Sequence, residues 1–196
     1  MKTILVLTDF SKNALIAAEE AALLAGKLNL NLLLCYTDYG IPVSTFYPGI
    51  FHGGGDHSWK HHCEREMNKI KNHLSKLFSI IDTNQRRPII SSMVSQGDLA
   101  AEVVDLLKNE NIELMAIGAA TGIKTYPILS ETEVHSMMET VGCRVLIFPT
   151  NGTISVLDRI LFAKHYREAD IFATEYLVEL GKLFEGQLEV ETEILF

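Results

Sequence analysis

The sequence IELMAIG, residues 112–118, decides the fold of this chain. It has the length of a β-strand and only one polar residue, and such apolar runs are typical of parallel strands that are buried on both faces. A glycine-bearing loop, residues 118–129, follows it, and Ser130-Glu131-Thr132-Glu133 then has the signature of a capped helix start. A strand, a loop and a helix in this order form the junction where a parallel α/β domain can hold a phosphate.

The same alternation extends over residues 1–149. Apolar runs predict five strands, at residues 4–7, 30–36, 88–94, 112–117 and 144–148. Helical patterns separate them, except for an irregular stretch at 37–58 that is rich in glycine and proline. Buried strands that alternate with helices predict an α/β fold, with a five-stranded, mostly parallel sheet and helices on both faces.

The four predicted helices have apolar residues at helical spacing. Ser11 and Asp98 can cap the first and third helices. The first helix presents Ala14, Ala18, Ala21, Ala25 and Leu28; the second Met67, Ile70, Leu74, Leu77, Phe78 and Ile81; the third Ala100, Val103, Val104 and Leu107; the fourth Val134, Met137, Met138 and Val141.

The remainder of the chain echoes its beginning. Arg159-Ile160-Leu161-Phe162 resembles Thr3-Ile4-Leu5-Val6, and a later LGKL resembles the LAGKL at residues 24–28. We therefore predict a first domain at 1–149, a linker at 150–157, and a partial second repeat of strand, helix and strand at 158–196. So short a unit buries little surface, and we expect the chain to be a piece of a longer tandem protein.

Composition narrows the function classes. The 196 residues have 47% hydrophobic content and a net charge of −8, with no basic stripe, so nucleic acid is not an expected partner. The start of the chain reaches Asp9 too early for a signal peptide, and no apolar run could span a membrane. The three cysteines have no CxxC spacing, which favours reduced thiols. We expect a cytoplasmic protein.

Several segments together resemble one known family, the universal stress proteins. They are Thr8-Asp9-Phe10-Ser11 after the first strand, Gly97-Asp98 after the third, Ile117-Gly118 at the end of the fourth, and CRVLIFP at residues 143–149. The resemblance covers residues 1–149. It implies a Rossmann-like, adenine nucleotide α-hydrolase-like fold, and a homodimer in which the last strand, from Val145 to Phe148, pairs with its copy.

ATP-binding members of this family resemble each other in a signature of three glycines followed by Ser or Thr. In the same register this chain has Gly118, Thr121, Glu131 and Thr132, with Gly122 one residue beyond the second position. Glycine lets the backbone approach phosphate oxygens, whereas a carboxylate at a helix start competes for the same amides. We therefore predict a degraded ATP site and no bound cofactor. The resemblance also places Asp9 beside an adenosine, although a turn residue is an equal interpretation.

These observations predict a non-catalytic regulatory protein of the stress response that acts through dimerisation and partner or small-ligand binding. The alternative is an ATP- or AMP-binding member that uses Asp9 and the Gly118 loop. An ATP-splitting enzyme is a weaker interpretation, because the loop after the first strand lacks a Ser-Gly-Gly run. A receiver domain would need a second acid near Asp9 for magnesium.

A histidine cluster leaves one further alternative open. His52, His57, His61 and Cys63 lie close together in the sequence and are ligand types for zinc, but they match no complete ligand pattern. The other interpretation is a solvated loop with surface histidines, and we assign no metal residue. Calorimetric titration with zinc, with the His57→Ala/His61→Ala variant as control, separates the two.

Overall fold

A computed structural model describes residues 2–38, 57–80, 87–118, 143–149, 159–164, 169–184 and 187–192. The chain divides into two compact units, Met1–Gly152 and Thr153–Phe196. In the described part of the chain, no helix is long and apolar enough to cross a membrane. The bounds of the first unit are β1 Thr3–Leu7, α1 Lys12–Leu28, β2 Asn31–Asp38, α2 His57–Ile80, β3 Ile90–Gln96, α3 Leu99–Asn109, β4 Ile112–Gly118 and β5 Arg144–Phe148.

The five strands form one parallel sheet in the order β3-β2-β1-β4-β5. Because successive side chains of a strand point to opposite faces, and both sets are buried in β1 and β4, the sheet is covered on two sides. This confirms the predicted five-stranded parallel sheet. The predicted fourth helix, with its Ser130 cap, lies outside the described residues.

Small side chains bring α1 close to the sheet. Ser11 caps this helix as predicted, since its Oγ accepts a hydrogen bond from the amide of Ala14 at 3.2 Å. The helix contacts β1, β4 and α2, and its alanines at 17, 18, 21, 22 and 25 have no exposed surface. A face of methyl groups allows the helix backbone to approach the strands more closely than larger side chains would.

The other face of the sheet packs against α3. Asp98 caps this helix as predicted, because its Oδ1 accepts from the amide of Ala101 at 2.8 Å. The predicted inner face of α3 is confirmed at Val103, which is fully buried, and at Ala100 and Leu107, which pack against the core, while Val104 is half-buried. The prediction omitted Leu99 and Leu106, which are also buried. The helix starts directly after its cap, which turns Leu99 inward against Leu5, Leu7, Cys35, Met115 and Ile117.

The second strand extends two residues beyond its predicted end. Thr37 and Asp38 continue the pairing with β3, and the hydroxyl groups of Thr37 and Ser95 are hydrogen-bonded at 3.0 Å. Since α2 begins at His57, the predicted irregular stretch is shorter at both ends, and residues 39–56 lie outside the described ones. On α2 the predicted apolar face is buried at Met67, Ile70, Leu74 and Phe78 and half-buried at Leu77, whereas Ile81 is not described.

The second unit contains β6 Arg159–Lys164, α4 Ala169–Phe184 and β7 Gln187–Thr192. The two strands are parallel and pair from Arg159 with Gln187 to Lys164 with Thr192. A parallel pair requires a crossover connection, which α4 provides. That this unit repeats the start of the first one stays a prediction.

The alanine face of α1 can be tested by adding volume to it. We expect Ala18→Leu to destabilise the protein by about 1–3 kcal/mol, because Ala18 has no exposed surface and the longer side chain overpacks the contact with the sheet. Urea denaturation measures the change. Ala101→Leu, at an exposed position of α3, is the matched control and should change the free energy of unfolding by less than about 0.5 kcal/mol. Equal effects of the two substitutions would contradict close packing of α1.

Candidate functional site

The strand order of the sheet reverses at one place. From β1 the chain moves outward to β2 and β3, and it then returns to form β4 and β5 on the other side of β1. In open parallel sheets, ligands bind outside the carboxyl ends of the strands at such a reversal, where the loops leave a crevice. The carboxyl ends of β1 and β4 therefore form the candidate site.

Two of the predicted site residues lie at this crevice. Val6 of β1 pairs with Ala116 of β4, so the two strands end side by side. Asp9 follows β1, and Gly118 is the last residue of β4. The other four predicted site residues lie outside the described ones: Thr121, Gly122, Glu131 and Thr132.

Polar side chains in the turn after β1 accept hydrogen bonds from two amides of the turn itself and from one amide in the first turn of α1. The amide of Phe10 donates to Thr8 Oγ1 at 3.1 Å, and the amide of Ser11 donates to Asp9 Oδ1 at 2.9 Å. Ser11 Oγ in turn accepts from Ala14. Amides at a helix start would otherwise be available to an anion. The Asp9 carboxylate thus makes the contacts of a turn residue.

Gly118 lies against the first turn of α1. A Cβ atom at this position would be 2.5 Å from the carbonyl oxygen of Asn13 and 2.9 Å from the amide nitrogen of Ala14. Its φ angle is not in the left-handed region, which among the described glycines only Gly97 adopts, at 135°. The glycine is therefore required by the close approach of strand and helix. The sequence suggested proximity to phosphate instead, and this packing role was missed.

An aromatic pair at the carboxyl ends of β1 and β2 was also missed. The rings of Phe10 and Tyr36 have centroids 4.6 Å apart and an interplanar angle of 32°. The thiol of Cys63, which is buried on α2, lies near the Tyr36 hydroxyl and affects its pKa. The sequence did hold a signal, because neighbouring parallel strands end at the same edge, and one aromatic follows the first strand while the other lies near the end of the second.

Burial and negative charge set the electrostatics of this edge. Burial is the main cause that raises the pKa of the Tyr36 hydroxyl, and nearby Cys63, Asp38 and Asp9 raise it further. Burial likewise raises the pKa of the Cys63 thiol, with a contribution from Asp38. Both groups are protonated at neutral pH. The same carboxylates that disfavour a phenolate or a thiolate also disfavour a phosphate.

Of the histidine cluster, the structure describes the side chains of His61 and Cys63, which have different surroundings. Cys63 is buried next to Tyr36, whereas the side chain of His61 is 75% exposed and lies 3.5 Å from Glu64. His52 and the side chain of His57 lie outside the described residues. Among the residues that are described, no three His, Cys, Asp or Glu side chains form a group that could hold a metal ion.

Gly97-Asp98, one of the segments that resemble the family, forms the turn between β3 and α3. Gly97 donates its amide to the carbonyl of Asp38 at 2.9 Å and adopts a φ of 135°, which L side chains rarely adopt. Asp98 then caps α3. This turn joins the ends of β2 and β3 and directs the chain to the other face of the sheet.

Comparisons with known proteins identify the fold. No protein-family profile and no curated protein sequence matches the chain. Solved structures do match it. A universal stress protein from Archaeoglobus fulgidus has 17% identity and a TM-score of 0.59, over 97% of this chain and 66% of its own.

Two further matches agree. A protein of the universal stress protein family from Burkholderia pseudomallei has 17% identity and a TM-score of 0.53, over 75% of this chain and 95% of its own. A universal stress protein in complex with cAMP has 15% identity and a TM-score of 0.50, over 76% of this chain and 98% of its own. At these identities the likeness establishes the fold. The chain has the universal stress protein fold, and the resemblance seen in the sequence is confirmed at that level.

The packing role of Gly118 predicts opposite effects of one substitution at two glycines. Gly118→Ala should destabilise the protein by about 1–3 kcal/mol, because its Cβ would overlap the backbone of Asn13. Gly26→Ala is the matched control: its Cβ would lie 3.7 Å from Phe78, an ordinary contact, and alanine favours the helix by about 0.5–1 kcal/mol. Thermal unfolding of the two variants measures the difference, and a stable Gly118→Ala protein would contradict the close approach.

Proposed function

We propose that this chain, which has the universal stress protein fold, is a member of that family and a non-catalytic regulatory protein of the stress response in the cytoplasm. It acts by dimerisation and by binding a partner or a small ligand, and its ATP site is degraded. The carrying observation is the turn after β1, where Thr8 and Asp9 accept from the amides of Phe10 and Ser11, and Ser11 Oγ accepts from the amide of Ala14 in the first turn of α1. Amides that the protein itself has bound are poor ligands for a phosphate.

Charge and sequence support the same proposal. Asp9 follows β1 and Asp38 ends the neighbouring strand β2, and both carboxylates raise the pKa of Tyr36. In the loop that follows β4, Thr121 and Glu131 stand where ATP-binding relatives have glycine. Both features disfavour a polyphosphate. The Asp9 and Asp38 carboxylates repel its negative charge. Thr121 adds a side chain where glycine would leave space, and Glu131 competes for the amides of the helix start.

The cysteines support the non-catalytic part of the proposal. A catalytic thiol needs a lowered pKa, since the thiolate is the nucleophile. Burial instead raises the pKa of all three thiols, to about 11 for Cys35 and in the same direction for Cys63 and Cys143. These side chains therefore suit packing rather than nucleophilic chemistry.

Nucleotide binding is the second candidate function. Asp9 and Gly118 lie at the same reversal point of the sheet, and one solved structure with this fold is a universal stress protein in complex with cAMP. In this alternative the Asp9 carboxylate contacts the nucleoside and the loop after Gly118 holds the phosphate.

A fluorescent ATP analogue separates the two candidates. We expect no saturable binding to the wild-type protein up to about 100 μM, because bound amides and nearby carboxylates disfavour the phosphates. The change in fluorescence on titration measures it. Micromolar affinity that is lost in Asp9→Ala and retained in Asp98→Ala, which removes the cap of α3 on the same sheet edge, would establish the alternative.

The proposed homodimer uses β5. In the described sheet β3 and β5 are the outer strands, and among the described residues no further strand lies on the side of β5 away from β4. Exposed strand edges are usually covered or paired. Ile147 of β5 is 48% exposed, so an apolar side chain is available to a second copy. A two-fold axis at this edge would pair the residues from Val145 to Phe148 with their own copies.

Dimerisation through β5 predicts an asymmetry between the two edges of the sheet. Ile147→Glu should convert a dimer to a monomer, because it places two like charges across the proposed two-fold axis. Ile89→Glu is the matched control, since Ile89 is 61% exposed and directly precedes β3 on the opposite edge. Light scattering at high concentration measures both masses. A monomeric wild-type protein, or a dimer that survives Ile147→Glu, would contradict the proposal.

A further inference from the structure

The outer face of α2 carries a straight row of basic side chains. The opposite face of this helix is buried, and the helix contacts α1 and β3. Residues at helical intervals of three and four lie one above another. On the outer face these are His62, Arg65, Lys69, Asn72 and Lys76, and all five are exposed. We call the four that are not asparagine the α2 basic row, which is about 20 Å long at a rise of about 1.5 Å per residue.

The chain as a whole has the opposite charge. Its net charge is −8, yet α2 contains five of the 17 Lys and Arg residues and only two of the 25 Asp and Glu residues. The α2 basic row was not expected from the sequence, because acidic and neutral residues separate its members along the chain. The helix brings them onto one line. A basic row in an acidic protein concentrates the attraction for anions at one place.

A carboxylate of α2 shows the effect of this positive charge. The hydrogen bond from Lys69 Nζ to Glu66 Oε1, at 2.6 Å, is the main cause that lowers the pKa of the Glu66 carboxyl. The charges of Lys69, His62 and Arg65 lower it further. Arg65 donates from Nε to the carbonyl of His61 at 3.3 Å, which uses one donor of its guanidinium. A guanidinium can bind a carboxylate through two parallel hydrogen bonds.

The α2 basic row is narrow, because carboxylates flank it. Glu66 pairs with Lys69, and Glu64 lies 3.5 Å from His61. A membrane surface or a phosphate backbone presents negative charge over a broad area, and it would meet these carboxylates as well. In the described part of α2 no large apolar side chain is exposed, whereas insertion into a lipid surface requires such side chains. A partner with a single line of carboxylates avoids both problems.

We propose that the α2 basic row is a docking surface for an acidic α-helix of a partner protein, in which Asp or Glu recurs at the same intervals of three and four residues. Such a helix lies along α2 and places about one carboxylate opposite each turn, since both helices repeat every 5.4 Å or so. Exposed ion pairs contribute little one by one, so several along the row are needed. The inference adds a surface and a class of partner to the proposed function, and it depends neither on the ATP site nor on β5.

Two synthetic peptides test the spacing. Both are alanine-rich helices of about 20 residues with the same composition. In the first, Glu residues form a single row at i, i+4, i+7 and i+11; in the second, they are spread around the helix. Fluorescence anisotropy of the labelled peptides measures binding to the wild-type protein. We expect the row peptide to bind at least about fivefold more tightly than the spread peptide, and its affinity to fall as salt rises, because salt screens exposed charges.

A charge reversal locates the contact on the protein. Arg65→Glu changes the sign of one charge within the row, and it should weaken binding of the row peptide at least about fivefold. Lys108→Glu is the matched control, because it makes the same change of net charge at an exposed position of α3 and should leave the affinity at the wild-type level. Arg65→Ala repeats the test if thermal unfolding shows that Arg65→Glu is unfolded.

Three results would overturn the docking surface. The first is equal affinity for the two peptides, whether measurable or undetectable. The second is equal affinity of Arg65→Glu and Lys108→Glu for the row peptide. The third is tighter binding of a single-stranded RNA oligomer, or of vesicles with anionic lipid, that is lost in Arg65→Glu, which would assign the row to phosphate groups. None of these results changes the outcome of the ATP-analogue titration or of the mass measurement on Ile147→Glu, which test the proposed function.

Discussion

The close approach of β4 to the first turn of α1 is the constraint on which the candidate site depends. Gly118 leaves no room for a Cβ beside Asn13, and the buried alanine face of α1 brings the whole helix near to β1 and β4. These two features place the amides at the start of α1 directly beside the carboxyl ends of the two central strands. A larger residue at Gly118 would push the first turn of α1 away from the end of β4.

The turn between β1 and α1 is stabilised by its own side chains. Thr8, Asp9 and Ser11 each bind a backbone amide, and Phe10 turns its ring onto Tyr36. These contacts within the turn support the proposal that the crevice does not hold a polyphosphate. In the proposed function, a fold whose strand reversal favours ligand binding is combined with a local sequence that opposes phosphate binding.

Much of the fold could be predicted because it depends on local patterns. The apolar runs of β1 and β4, the caps at Ser11 and Asp98, and the apolar face of α2 follow from side-chain chemistry within a few residues. The prediction for α3 omitted Leu99 and Leu106, because the sheet that the helix packs against decides how wide a face of the helix is buried. The extension of β2 to Asp38 depends on its pairing with β3, which lies more than fifty residues away in the chain.

The sequence by itself determined the α/β alternation, the five strands of the sheet and the presence of Asp9 and Gly118 at strand ends, because hydrophobic periodicity and capping act over short distances. Only the tertiary structure decided the strand order, the reason for glycine at position 118 and the meeting of Phe10, Tyr36 and Cys63. These features arise where segments distant in the sequence meet, and their geometry depends on how closely helices and strands pack, which no local pattern specifies.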